Sequence, residues 1–147
     1  MAENDSRLDS AAQWFHYAEA DMRAARLLRD AKEHPAACFH AQQAVEKAFK
    51  GLLSIVGDVK KSHSISEMVR IVKDAGYDRG DIPPAGKLDR YYIATRYPDA
   101  LPGSNAQDVF DLQDANDAIG IAEQTIKLLA EWSAAAGVQL QSPWHNG

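Results

Sequence analysis

The chain has 147 residues, 46% hydrophobic and 25% charged, enough for one domain with a buried core and too apolar for a disordered segment. Its formal net charge of −5 argues against a protein that coats duplex DNA, but leaves room for a local site built from a few cations. Cys38 is the only cysteine, which excludes an internal disulfide and a cysteine-built metal cluster. The polar start "MAENDSRLDS" lacks a signal-peptide core and no apolar run reaches membrane-span length, so a cytoplasmic protein is expected.

The first helix is expected over residues 9–31, capped by Asp9 or Ser10 and closed by His34-Pro35. At about 100° per residue, Trp14, Phe15, Tyr17, Ala18, Met22, Ala25 and Leu28 share its apolar face. Asp21 lies in the middle of that stripe, where an ionised carboxylate needs a partner or a polar groove. The second helix, residues 36–55, has an apolar face of Ala37, Ala41, Ala44, Val45, Ala48, Phe49 and Leu52. Its small residues suit close approach of a neighbouring helix. Gln43, Glu46, Lys47, Lys50 and Ser54 line the other face, beside Phe39 and His40. That row reads either as a solvated face with a Glu46–Lys50 pair or as a groove wall carrying a mobile lysine.

Ser64 with Glu67 three residues on is a capping-box signature for a third helix, with Ile65, Met68, Val69 and Val72 inward and Gly76 as its stop. His63 precedes that N-terminus, where free backbone N–H groups favour an anion. "GYDRGDIPPAG" reads as loop. A fourth helix over 85–96 puts Leu88, Tyr91, Tyr92 and Thr95 on one face, and Pro98 pushes Tyr97 out of helical dihedrals. Arg96, at that phenol-rich helix end, is the best single site candidate, because its rigid donor fork suits phosphate. A long last helix is expected over 106–136, ended by Gly137. Asp108, Asp111, Asp114 and Asp117 drift around it and read as a solvated acidic face. Asn116 and Glu123, polar at the edge of its apolar stripe, point to a homodimer interface.

No stretch alternates with period two, and the histidines have no ligand spacing, so neither a sheet nor a metal site is expected. The expectation is an all-α, up-and-down antiparallel bundle of four to five helices over residues 10–137, with a polar extension at 1–9 and a flexible tail at 138–147.

Taken together, "AEADMRAARLL", "CFHAQQAVEKAFKGLL", "HSISEM" and "LDRYYIATRYPD" resemble the HEPN domain, the higher eukaryotes and prokaryotes nucleotide-binding domain, over residues 10–135. The resemblance implies a helical bundle, usually dimeric and often encoded beside a small nucleotidyltransferase with which it acts, in a toxin–antitoxin-like pair. Many members are metal-independent ribonucleases whose signature is an arginine followed after four to six residues by a histidine. Here no histidine follows Arg96 until His145, and the Arg29–His34 match lies at the wrong end of the first helix. Without a proton carrier Arg96 binds phosphate but does not move a proton.

The expected site is therefore a groove, with Tyr92, Arg96 and Tyr97 on one wall, Asp21, Glu46, Lys47 and Lys50 on the other, and His63 at the third helix's N-terminus. Its ligand would be a nucleotide of the ATP or GTP class, or an RNA end, with no cofactor and no catalytic residue. The expected function is a non-catalytic accessory subunit of a nucleotidyltransferase. The competing readings are a degenerate ribonuclease toxin and a plain dimerisation module.

Overall fold

The computed structural model describes residues 2–57, 64–77, 82–91 and 110–140. The chain is an all-α bundle: α1 (Ala2–Asp30), α2 (His34–Val56), α3 (Ile65–Asp74), one 3₁₀ turn (Ala85–Leu88) that continues as helix to Tyr91, and α4 (Leu112–Ala135). Among the described residues no helix is long and apolar enough to cross a membrane, and no group of side chains is placed to hold a metal ion.

The α1–α2 hairpin carries the fold. Ala11, Phe15, Ala18, Met22 and Ala25 of α1 are buried against Ala37, Ala41, Ala44, Ala48 and Leu52 of α2. A Cβ at Gly51 would stand 2.9 Å from the Phe15 ring, so the two helices meet there at a distance only glycine permits. Lys32 takes a left-handed φ of 65° to reverse the chain between them. Pro35 then opens α2 rather than closing α1, because a proline in the first turn lacks only an N–H that would be unpaired anyway.

α4 runs antiparallel to α1, with Arg26 against Glu123 at 3.2 Å and Arg29 against Asn116 at 3.4 Å. The two polar residues that suggested a subunit interface are thus satisfied within the chain. α3 ends on Gly76, whose φ of 107° lets Tyr77 N–H reach back to the Val72 carbonyl at 3.0 Å. Its N-terminus is doubly capped. Ser64 Oγ accepts from Glu67 N–H at 3.2 Å, while Asp89 accepts from Ile65 N–H at 2.7 Å, Ser66 N–H at 3.1 Å and Ser66 Oγ at 2.9 Å.

Several expected boundaries move. α1 begins at Ala2, so the polar first residues belong to the helix. Tyr17, assigned to the core face, is 54% exposed. The expected 85–96 helix opens as a 3₁₀ turn, and its continuation past Tyr91 lies outside the described residues. α4 starts at Leu112 rather than 106, since Asp111 and Asp114 form a reciprocal capping box. Val138 and Leu140, placed in a loose tail, are buried against the core.

Asp89 holds the Ala85–Tyr91 segment to α3, and Asp89→Ala leaves two N–H groups of α3 without that acceptor. It should lower the unfolding free energy by about 1–2 kcal/mol in urea titrations. An unchanged midpoint would show that Ser64 alone is the cap.

Candidate functional site

The polar residues of α1 and α2 meet along one seam. Asp21 sits at the flank of α1's apolar stripe, with its side chain 13% exposed. Lys47 Nζ donates to its Oδ2, and His40 Nδ1 lies 3.0 Å from its Oδ1. Lys47 and His40 are seven residues apart, two turns along the same face of α2. Burial alone would raise the Asp21 pKa, but the hydrogen bonds from His40 and Lys47 and the charge they bring outweigh it, so the carboxyl stays below its ordinary value. An ionised Asp21 accepts, so His40 carries its proton on Nδ1 and leaves Nε2 as its second nitrogen. Phe39 packs edge-on against the imidazole at 5.6 Å.

Flanking Lys47 on α2, one residue before it and three after, Glu46 and Lys50 pair at 3.2 Å, and Lys50 Nζ lies 5.5 Å over the Trp14 ring. Glu46 is only 3% exposed. This is the expected i,i+4 pair, but it is not on a solvated face, and its lysine is held by a carboxylate and an indole. Glu46 and Lys50 thus form an internal ion pair rather than an open groove wall.

Of the expected site residues, the structure brings Asp21, Glu46, Lys47 and Lys50 together as two adjacent knots of charge. Tyr92, Arg96, Tyr97 and His63 lie outside the described residues. The helix N-terminus proposed beside His63 for an external anion is filled by Asp89, which takes the dipole end and its N–H groups for the chain itself.

A second feature escaped the sequence. Between the Ala85–Tyr91 segment and α4 lies a cleft of about 470 Å³. Lys87 and Arg90 line one side, Asp114, Asn116, Asp117 and Gln124 the other, and Leu88, Tyr91 and Ile121 supply its apolar surface. Arg90 donates to Asp114 at 3.0 Å and lies 4.8 Å from the Tyr91 ring centre. Tyr91 is pushed up to about 12, chiefly by burial and then by the neighbouring Cys38. Cys38 is likewise raised to about 12 by burial and then by the Asp114 charge, so its thiol stays protonated and inert. The sequence signal for the cleft was the adjacent Arg90-Tyr91 pair, of which only Tyr91 was assigned, to the fourth helix's face.

Comparison with known proteins agrees with this architecture. The model of the HEPN domain family matches residues 11–132. A protein of Methanocaldococcus jannaschii named "Putative toxin MJ1304" is 25% identical over 142 residues, covering 90% of this chain and 93% of its own. The crystal structure of TT1696 from Thermus thermophilus superposes with a TM-score of 0.72 at 33% identity, over 82% of this chain and 96% of that one. That of ST0689, an archaeal HEPN homologue, gives 0.70 at 31% identity, over 84% and 97%.

The depressed pKa of Asp21 fixes the sign of its pH effect. Its stabilisation is fully present above the ordinary carboxylate value of 3.8 and is lost as pH falls through the lower folded value. Asp21→Asn should therefore cost about 1–3 kcal/mol at pH 7 and less at pH 3. Urea unfolding of both proteins at the two pH values measures this, and an equal cost at both would remove the ion pair from the account.

Proposed function

The chain belongs to the HEPN domain family, and on that premise we propose that it is a non-catalytic accessory subunit that binds a nucleotide or an RNA end and works beside a small nucleotidyltransferase. The observation that carries this reading is the cleft between the Ala85–Tyr91 segment and α4. Its volume lies in the range of small-molecule sites, and it combines two cations, two carboxylates (Asp114, which pairs Arg90, and Asp117), an apolar surface and two side-chain amides. Lys87, and Arg90 if Asp114 yields it, suit phosphate oxygens, and half-buried Ile121 beside the small exposed edge of Tyr91 suits the flat face of a base. The chain then continues directly into Tyr92, Arg96 and Tyr97, which extend the same chemistry in sequence.

The non-catalytic part of the reading rests on the missing histidine after Arg96. His40 does not replace it, because its imidazole is bonded to Asp21 on the α1–α2 seam rather than lining the cleft. The toxin named among the relatives supports a second reading, a degenerate ribonuclease, whose signature histidine after Arg96 the sequence does not supply.

Calorimetric titration with ATP and GTP tests the site. Binding should weaken about tenfold or more in Lys87→Ala and in Arg96→Ala. No binding to the wild type would remove the nucleotide, and unchanged variants would remove the cleft. Incubation with structured RNA tests the second reading, since cleavage abolished by Arg96→Ala would overturn the accessory role. Co-purification from the source cell tests the nucleotidyltransferase partner.

A further inference from the structure

Three histidines lie among the described residues, and their surroundings differ. His16 stands exposed on α1 with its ring edge-on to Tyr17. His34 opens α2, with its Nδ1 buried and unpartnered. Of the three, only His40 is joined to a carboxylate, that of Asp21 at 3.0 Å. The acid is the inner member of that pair, 13% exposed, and the imidazole the outer, 34% exposed. Because an ionised Asp21 accepts, the imidazole proton stands on Nδ1 and Nε2 carries a lone pair. No other described residue bonds to Nε2, and the ring directs that lone pair away from Asp21.

An imidazole fixed in one tautomer, with a carboxylate behind it and its second nitrogen accessible, is the arrangement of a histidine nucleophile. Lys47 adds a cation at the same point. Its ammonium donates to Asp21 Oδ2 and has two further N–H groups to offer. The side chain is half-buried beside the ring, where it would draw an incoming anion towards Nε2. We propose that His40 is a modification site, whose Nε2 accepts a phosphoryl group from a small donor holding phosphorus on nitrogen.

The Nε2 lone pair attacks phosphorus and forms a new P–N bond. The donor's own P–N bond breaks, and its amine leaves with the bonding pair. One such bond replaces another, so the exchange needs no further reactant. The ring becomes an imidazolium whose Nδ1 proton stays on Asp21, and the carboxylate meets the charge that the ring has gained. Lys47 turns from Asp21 Oδ2 to the phosphoryl oxygens, so the arriving negative charge is also paired. None of Asp21, His40 and Lys47 lines the nucleotide cleft, so this inference stands apart from the function proposed for it.

Phosphoramidate is the probe and the full chain the acceptor. At a pH where free imidazole is neutral, tandem mass spectrometry should find the phosphoryl group arriving on His40 about tenfold or more faster than on exposed His16. Phosphorus NMR should identify the product as Nε2-phosphohistidine, and nitrogen NMR of the unmodified protein should show the Nδ1–H tautomer at His40. Unfolding the chain in urea should erase the preference, because it parts the ring from Asp21. His40→Asn, which keeps a donor near the Nδ1 position, should abolish the fast reaction while helicity is retained. Lys47→Gln should slow it severalfold. A wild-type rate at His40 no greater than at His16 overturns the inference. So does an Nε2–H tautomer, or a preference that persists in the unfolded chain.

Discussion

The close approach of α1 and α2 at Gly51 is the constraint on which the other features depend. With no Cβ in the way, the Phe15 ring lies on the α2 backbone, and the alanines of α2 extend that intimacy along the hairpin. Side chains at the edge of so close a contact cannot avoid being partly desolvated. Asp21, His40, Lys47, Glu46 and Lys50 all stand at that edge, and each answers desolvation by bonding to a neighbour across or along the seam. The two knots of charge are therefore consequences of the packing. They fix the rotation of α1 against α2, because turning either helix would strand a buried carboxylate.

This changes what the polar residues of the hairpin are for. A lysine facing open water with no partner would be a natural phosphate ligand. Lys50 is instead bracketed by Glu46 and Trp14, and Lys47 shares Asp21 with His40. The exposed cation that suits an external anion lies elsewhere, at Lys87 on the short segment from Ala85 to Tyr91, where Arg90 is itself held by Asp114. That segment is itself positioned by an acid, Asp89, which uses α3's helix dipole as its anchor. The fold thus applies its carboxylates to orient elements, and leaves Lys87 exposed on the rim of the cleft.

The bundle was legible because helical periodicity is repeated over four long stretches. Every residue assigned to α2's apolar face is buried, and the Ser64 cap and the Gly76 and Gly137 stops lie where the sequence places them. Asp21's need for a partner was also readable, since an acid beside an apolar stripe has few ways to be stable. Less legible was which partner it would take. Helical phase cannot show which side of α1 meets α2, so Asp21 and Lys47 were assigned to a wall facing a groove rather than to each other. Tyr17 failed for a related reason. Its large ring fits an apolar pattern, but it falls on the opposite edge of the stripe from Ala11 and Phe15. Asp111 and Asp114 were read as two charges on a solvated face, although their three-residue separation is the capping-box spacing that starts α4.

The same phase ambiguity bears on how surfaces are divided among functions. α1 has three usable faces: one packs the core, one forms the polar seam with α2, and the third carries Tyr17 and Leu27 outward. α4 likewise has a face towards α1, joined by Arg26 and Glu123, and another towards the cleft, where Asp114 holds Arg90. Arginine bridges on both sides of α4 separate the α1 surface from the ligand cleft. The cleft is tied to α1 by Asn116, which lines it and accepts from Arg29, and by the body of α4, whose position is set by buried Ala115, Ala118, Ile119, Ala122 and Ile126. Close-packed cores of small residues move little, so binding in the cleft should leave the position of α4 against α1 unchanged.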